Sequence, residues 1–121
     1  MAQLVNATTY SDARGNLTVI EKIVPFDIKR VFYISGATSP RGNHSNKKTH
    51  TALVCVAGTC QVTVYNKNKQ IDIFDLDAPE KVLVLRPEEY RIMHNFSPDA
   101  VLLVMASEYF DKDDYIEEIP L

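Results

Sequence analysis

Short apolar runs alternate along the chain with clusters of turn-forming residues, and the runs are too brief for ordinary helices. Leu17 to Ile23, Ile28 to Ile34, Ala52 to Val56, Gln61 to Tyr65, Ile71 to Phe74, Val82 to Arg86 and Val101 to Ala106 are rich in β-branched residues, a composition that suits a pleated, half-buried surface. Turn chemistry separates them: Asp12-Ala13-Arg14-Gly15 before the first, Arg41-Gly42-Asn43 in mid-chain, Ala57-Gly58 between two strands, and Ser97-Pro98-Asp99 before the last. Several short strands at this spacing predict an all-β sandwich or barrel. The one helix the pattern allows is the acidic tail from Asp111 to Glu118, with Asp111 capping the first turn and Asp113 and Asp114 at its positive end.

Alternation with period two assigns residues to faces. Along the second run Ile28, Arg30, Phe32 and Ile34 share one face, and Lys29, Val31 and Tyr33 share the other. An arginine among apolar neighbours either reaches solvent from a strand end or has a functional reason to be there.

The 121 residues are 45% apolar and 24% charged, enough for a single domain over 1–121 to bury a core without metals or disulfides. No linker, low-complexity tract or internal repeat divides them. The net charge of −3 argues against nucleic-acid binding but leaves room for a small anion held by a local arginine cluster. No run approaches the roughly 18 apolar residues of a membrane span, and the opening MAQLVNATTY has no signal-peptide pattern, so a soluble, cytoplasmic protein is expected. In that compartment Cys55 and Cys60 are expected to stay reduced and to serve as small buried hydrophobes.

Candidate chemistry concentrates between Arg41 and His50, where two histidines, two amides and three cations precede the strand at Ala52. A divalent metal would want a His-x-His pair followed by a carboxylate. The chain instead has His44-Ser45-Asn46 followed by Lys47 and Lys48. An amide is a poor substitute for imidazole and neighbouring ammonium groups oppose a dication, so no functional metal is expected. His50 reads as a strand-edge residue and His94 as a hydrogen-bonded turn residue. His44 is either simply exposed or an acid–base group, since imidazole titrates at about 6.5.

Four stretches, taken in order, carry a family resemblance. They are Asp12-Ala13-Arg14-Gly15-Asn16-Leu17, Pro25 to Ile34, Arg41-Gly42-Asn43-His44, and Asn95 to Asp111 with Asp114-Tyr115-Ile116. From Ser11 to Ile116 the chain resembles the dTDP-4-oxo-6-deoxyglucose 3,4-ketoisomerases, single-domain cupins of deoxyamino-sugar biosynthesis. The resemblance implies a jelly-roll barrel that binds a dTDP-linked 4-keto-6-deoxyhexose without a cofactor, and a homodimer with exchanged N-terminal strands. It implies that Arg30 and Arg41 lie near the diphosphate, where guanidinium forks suit phosphate oxygens, and that Tyr33 and His44 lie beside the hexose. Lys47 and Arg91 complete the expected binding set.

Two departures from the family pattern stand out. Asn46 replaces the second histidine of the usual Arg-Gly-x-His-Ala-His-Lys motif, leaving His44 as its only imidazole. Arg14 matches the members that give the galacto product and Arg91 those that give the gluco product, so the configuration at C4 stays open. The expected chemistry is a proton shuttle through an enediol, with His44 as base, Tyr33 as second acid–base group, and Asn46 and Arg14 as donors to the enediolate oxygen. A 3,5-epimerase of the same substrates and a non-catalytic nucleotide-sugar binder are the alternatives.

Overall fold

A computed structural model describes residues 1–120. Its strands are β1 (Gln3–Asn6), β2 (Thr8–Asp12), β3 (Gly15–Val19), β4 (Arg30–Ser35), β5 (Arg41–Asn46), β6 (Thr51–Ala57), β7 (Cys60–Tyr65), β8 (Ile71–Leu76), β9 (Lys81–Leu85), β10 (Tyr90–His94), β11 (Val101–Ala106) and β12 (Tyr115–Ile116). They form two five-stranded antiparallel sheets, ordered β1-β9-β6-β11-β4 and β12-β5-β10-β7-β8, with β2 and β3 paired as a separate hairpin. This is the expected all-β jelly-roll barrel of cupin type.

Alternation decides what each sheet buries. Leu53 and Cys55 of β6, Leu83 and Leu85 of β9, and Leu102 and Val104 of β11 turn inward to meet Val62, Val64, Leu76 and Met93 of the opposite sheet. Each such Leu or Val contributes about 1.5–3 kcal/mol by leaving water. The intervening Ala52, Val54, Val82, Val84 and Met105 form a second cluster on the outer face, covered by Ile20, Ile23, Val24 and Phe26. The run from Leu17 to Ile23 is therefore strand only as far as Val19; its remainder is a cover over the first sheet. Cys55 and Cys60 are buried free thiols in the inner core, and burial pushes the Cys60 thiol up to about 12.

The tail corrects the expected helix over Asp111 to Glu118. Only a 3-10 turn forms, Lys112–Asp114, with the Asp111 side chain accepting from Asp113 N. Tyr115 and Ile116 then pair with Asn46 and Ser45 as β12. An isolated helix this short gains too few hydrogen bonds to offset its nucleation, whereas a free edge of β5 offers ladder bonds directly. No helix among the described residues is long and apolar enough to cross a membrane.

Candidate active site

The turn expected at Arg41-Gly42-Asn43 is instead a bulge within β5. His44 lies opposite Arg91 and Gly42 opposite Ile92, so Asn43 is an extra residue against β10. Gly42 and Asn43 absorb the kink at φ 91° and 57°. A Cβ at Gly42 would come within 2.9 Å of Met93 Sδ and 3.0 Å of the Arg91 carbonyl oxygen, so only glycine fits. The bulge re-aims the strand and sets His44 beside Arg91 in the barrel mouth.

That mouth opens into a cavity of about 260 Å³. Arg30, Phe32 and Ile34 of β4 and Arg41, His44 and Asn46 of β5 contribute to its walls. Thr51, Leu53, Arg91, Met93 and Val104 complete the interior, and Tyr115 and Glu117 stand at the rim. Its walls combine apolar side chains with a few convergent polar groups, the usual arrangement of a small-molecule site.

His44 stacks on Tyr115 with ring centroids 4.6 Å apart and planes 4° from parallel. Burial lowers its pKa below 6.5 and the Arg91 charge lowers it further, outweighing the Gly42 backbone, Asp114 and Glu117, which pull the other way. The imidazole is consequently neutral at physiological pH and able to accept a proton.

Arg91 is buried, and desolvation brings its pKa down to about 10, so it remains a cation at neutral pH. Its Nε donates to the Glu89 carbonyl at 3.0 Å, Nη1 to Asn46 Oδ1 at 2.6 Å, and Nη2 to the Arg86 carbonyl at 3.3 Å. Guanidinium carries five N–H groups, so two have no acceptor among the described residues. The other end of the Asn46 amide donates to Asp114 Oδ2 at 2.8 Å. Asp114 also accepts from Thr49 Oγ1 at 2.5 Å, Lys48 N at 2.7 Å and Lys47 N at 3.1 Å. One buried carboxylate thus ties the β5–β6 loop to the tail, and through Asn46 it braces Arg91.

A family model described as FdtA, WxcM-like, C-terminal, matches residues 1–120. The chain belongs to this family. Among FdtA relatives, it is 41% identical to a TDP-4-oxo-6-deoxy-α-D-glucose-3,4-oxoisomerase of Aneurinibacillus thermoaerophilus, over 96% of this chain and 86% of that protein. Two structures of the QdtA 3,4-ketoisomerase from Thermoanaerobacterium thermosaccharolyticum superpose with TM-scores of 0.91, each covering 97% of this chain and 87% of the other. One is a double mutant bound to TDP, 40% identical; the other is a His-to-Asn mutant bound to TDP-4-keto-6-deoxyglucose, 39% identical.

Of the residues singled out in the sequence, His44, Asn46, Arg30, Arg41 and Arg91 meet around the cavity. Tyr33 does not. It lies on the outer face of β4 at 69% exposure, because alternation sends it opposite Arg30 and Phe32. Arg14 sits at the tip of the β2–β3 hairpin, 90% exposed and paired with Asp12 at 2.6 Å, outside the cavity. Lys47 is exposed and enters the network only through its backbone N–H. His94 bonds Thr63 at 2.6 Å, and His50 lies 6.2 Å from the Phe26 ring, both away from the cavity. Thr51, Tyr115 and Asp114 belong to the site or its support and were not identified from sequence. The Asp114-Tyr115-Ile116 match in the tail was the available signal for two of them.

Proposed function

We propose that this protein is a TDP-sugar 3,4-ketoisomerase that converts a TDP-4-keto-6-deoxyhexose into its 3-keto isomer. The observation that carries the reading is His44: a neutral, half-buried imidazole beside a buried cation, in the cavity of a chain from a family whose named relatives isomerise such sugars.

The ketone at C4 acidifies the hydrogen on C3. His44 removes that proton, and the electron pair of the C–H bond forms the C3=C4 double bond while negative charge moves onto O4. Arg91 supplies the facing positive charge through its two free N–H groups, a contribution of the kind worth about 2.7–4 kcal/mol per donor in other enzymes. O4 then gains a proton, the C3 hydroxyl loses one, and His44 returns its proton to C4. Atoms and electrons balance without an external oxidant or reductant. Asn46, whose amide accepts from Arg91 and donates to Asp114, acts as a brace for Arg91. Tyr115 replaces Tyr33 as the phenol beside the base.

Arg30 and Arg41 receive the diphosphate. A homodimer fits the exposed apolar surface: Tyr10 and Leu17 on the hairpin, and Val31 and Tyr33 on β4, are each more than half exposed. Strand β1 pairs with β9 of its own chain, so the element left for exchange is the β2–β3 hairpin, which would carry Arg14 and its charge to the other subunit. The working place of the enzyme is the cytoplasm, where nucleotide sugars are made and thiols such as Cys55 and Cys60 stay reduced.

The test is His44→Asn. Turnover of TDP-4-keto-6-deoxyglucose should fall by roughly 10²-fold or more, the scale of a positioned acid–base group, while the dissociation constant for TDP changes by no more than a few fold. Turnover equal to wild type would remove His44 from the chemistry.

A further inference from the structure

Two buried polar atoms of cavity-lining residues have no hydrogen-bond partner among the described residues: Thr51 Oγ1 and Arg30 Nε. The sheet register places them in one row, because Ala106 of β11 pairs with Arg30 of β4 on one side and with Thr51 of β6 on the other. Side chains of directly paired residues emerge on the same face, and two strand spacings separate their Cα atoms by about 10 Å. The small Ala106 side chain lies between them in that row. The Phe32 and Phe110 rings lie 5.3 and 5.7 Å from Arg30 Cζ, within cation–π range, and the Nε is buried in the free protein.

A buried hydroxyl without a partner destabilises the free protein, and valine would fill the same space on a strand without that penalty. We propose that Thr51 is a ligand-binding residue whose hydroxyl, together with Arg30 Nε, holds one acceptor oxygen of the bound nucleotide sugar. The identity of the ligand rests on the ketoisomerase reading above. The acceptor is an oxygen of the diphosphate or of the hexose, which present the same chemistry to a hydroxyl and a guanidinium edge.

Thr51→Val and Thr51→Ser test this against two ligands, TDP by calorimetry and TDP-4-keto-6-deoxyglucose by steady-state kinetics. Thr51→Val should melt a few degrees above wild type when free, since the orphaned hydroxyl is gone, yet bind about tenfold more weakly. Thr51→Ser should restore binding to within about twofold. Equal weakening of TDP binding and of KM for the nucleotide sugar places the oxygen in the diphosphate; a change confined to the nucleotide sugar places it in the hexose. If wild type binds both ligands and Thr51→Val is indistinguishable from it, the assignment of Thr51 is wrong while the ketoisomerase reading stands. If wild type binds neither, both fall.

Discussion

Asp114 accepts four hydrogen bonds through its carboxylate from Asn46, Lys47, Lys48 and Thr49 while only 3% exposed; Asp114→Ala removes that acceptor, although Lys47 N keeps its 2.8 Å bond to the Asp114 carbonyl. Asn46 Nδ2 and Thr49 Oγ1 are donors on buried side chains, and each left unpaired costs about 1–3 kcal/mol. The two backbone N–H groups are only part-buried and lose less, because water can reach them. The sum is about 3–5 kcal/mol, which for a domain of this size lowers Tm on the order of 15 °C. Burial alone would raise the Asp114 pKa, but the bonds from Thr49, Lys48, Asn46 and Lys47 outweigh it and hold the carboxyl below its usual 3.8. A carboxyl depressed in the folded state stabilises above its unfolded pKa and loses that contribution as pH falls through the folded value. The Tm gap between wild type and variant should therefore be flat from pH 5 to 8 and narrow below about pH 4. Thermal unfolding followed by circular dichroism across that range is the assay, with Asp114→Asn, which keeps one acceptor, expected between the two. A Tm within about 3 °C of wild type at pH 7, or a gap that widens on acidification, would refute the reasoning.

Two further outcomes follow from the site. Arg41→Ala, which removes a guanidinium from the cavity mouth, should weaken TDP binding about tenfold or more while leaving the maximal rate within a few fold; an unchanged dissociation constant would rule out the diphosphate contact. Because burial and Arg91 lower the His44 pKa, kcat/KM should be constant through neutrality and fall as acid protonates the base, with a midpoint below 6.5; a midpoint at or above that value would contradict the neutral-base assignment.

The barrel was legible wherever apolar and polar residues contrast. The runs at Ala52, Gln61, Val82 and Val101 became β6, β7, β9 and β11 with shifts of a residue or so at their ends, and the face assignment of Arg30, Phe32 and Ile34 leads into the cavity. β5 and β10 carry no unbroken apolar signature, because Arg41, His44, Asn46 and Arg91 are polar for the reason that they line or support the site. Gly42-Asn43 signalled a kink, and sequence alone does not tell a turn from a bulge, since both use φ > 0. Alternation groups Tyr33 with Val31, and both are on the exposed face of β4, whereas the family resemblance points Tyr33 toward the hexose. The role of Asp114 depends on contacts across more than sixty residues of sequence, which no local pattern encodes.

The measurement closest to the central claim is NMR of TDP-4-keto-6-deoxyglucose incubated with the protein in heavy water, following which ring carbon bears the carbonyl and which gain deuterium. The account predicts a new carbonyl at C3, a protonated C4, and exchange confined to C3 and C4. A ketone that stays at C4, whether with deuterium at C5 or with none anywhere in the ring, would contradict it.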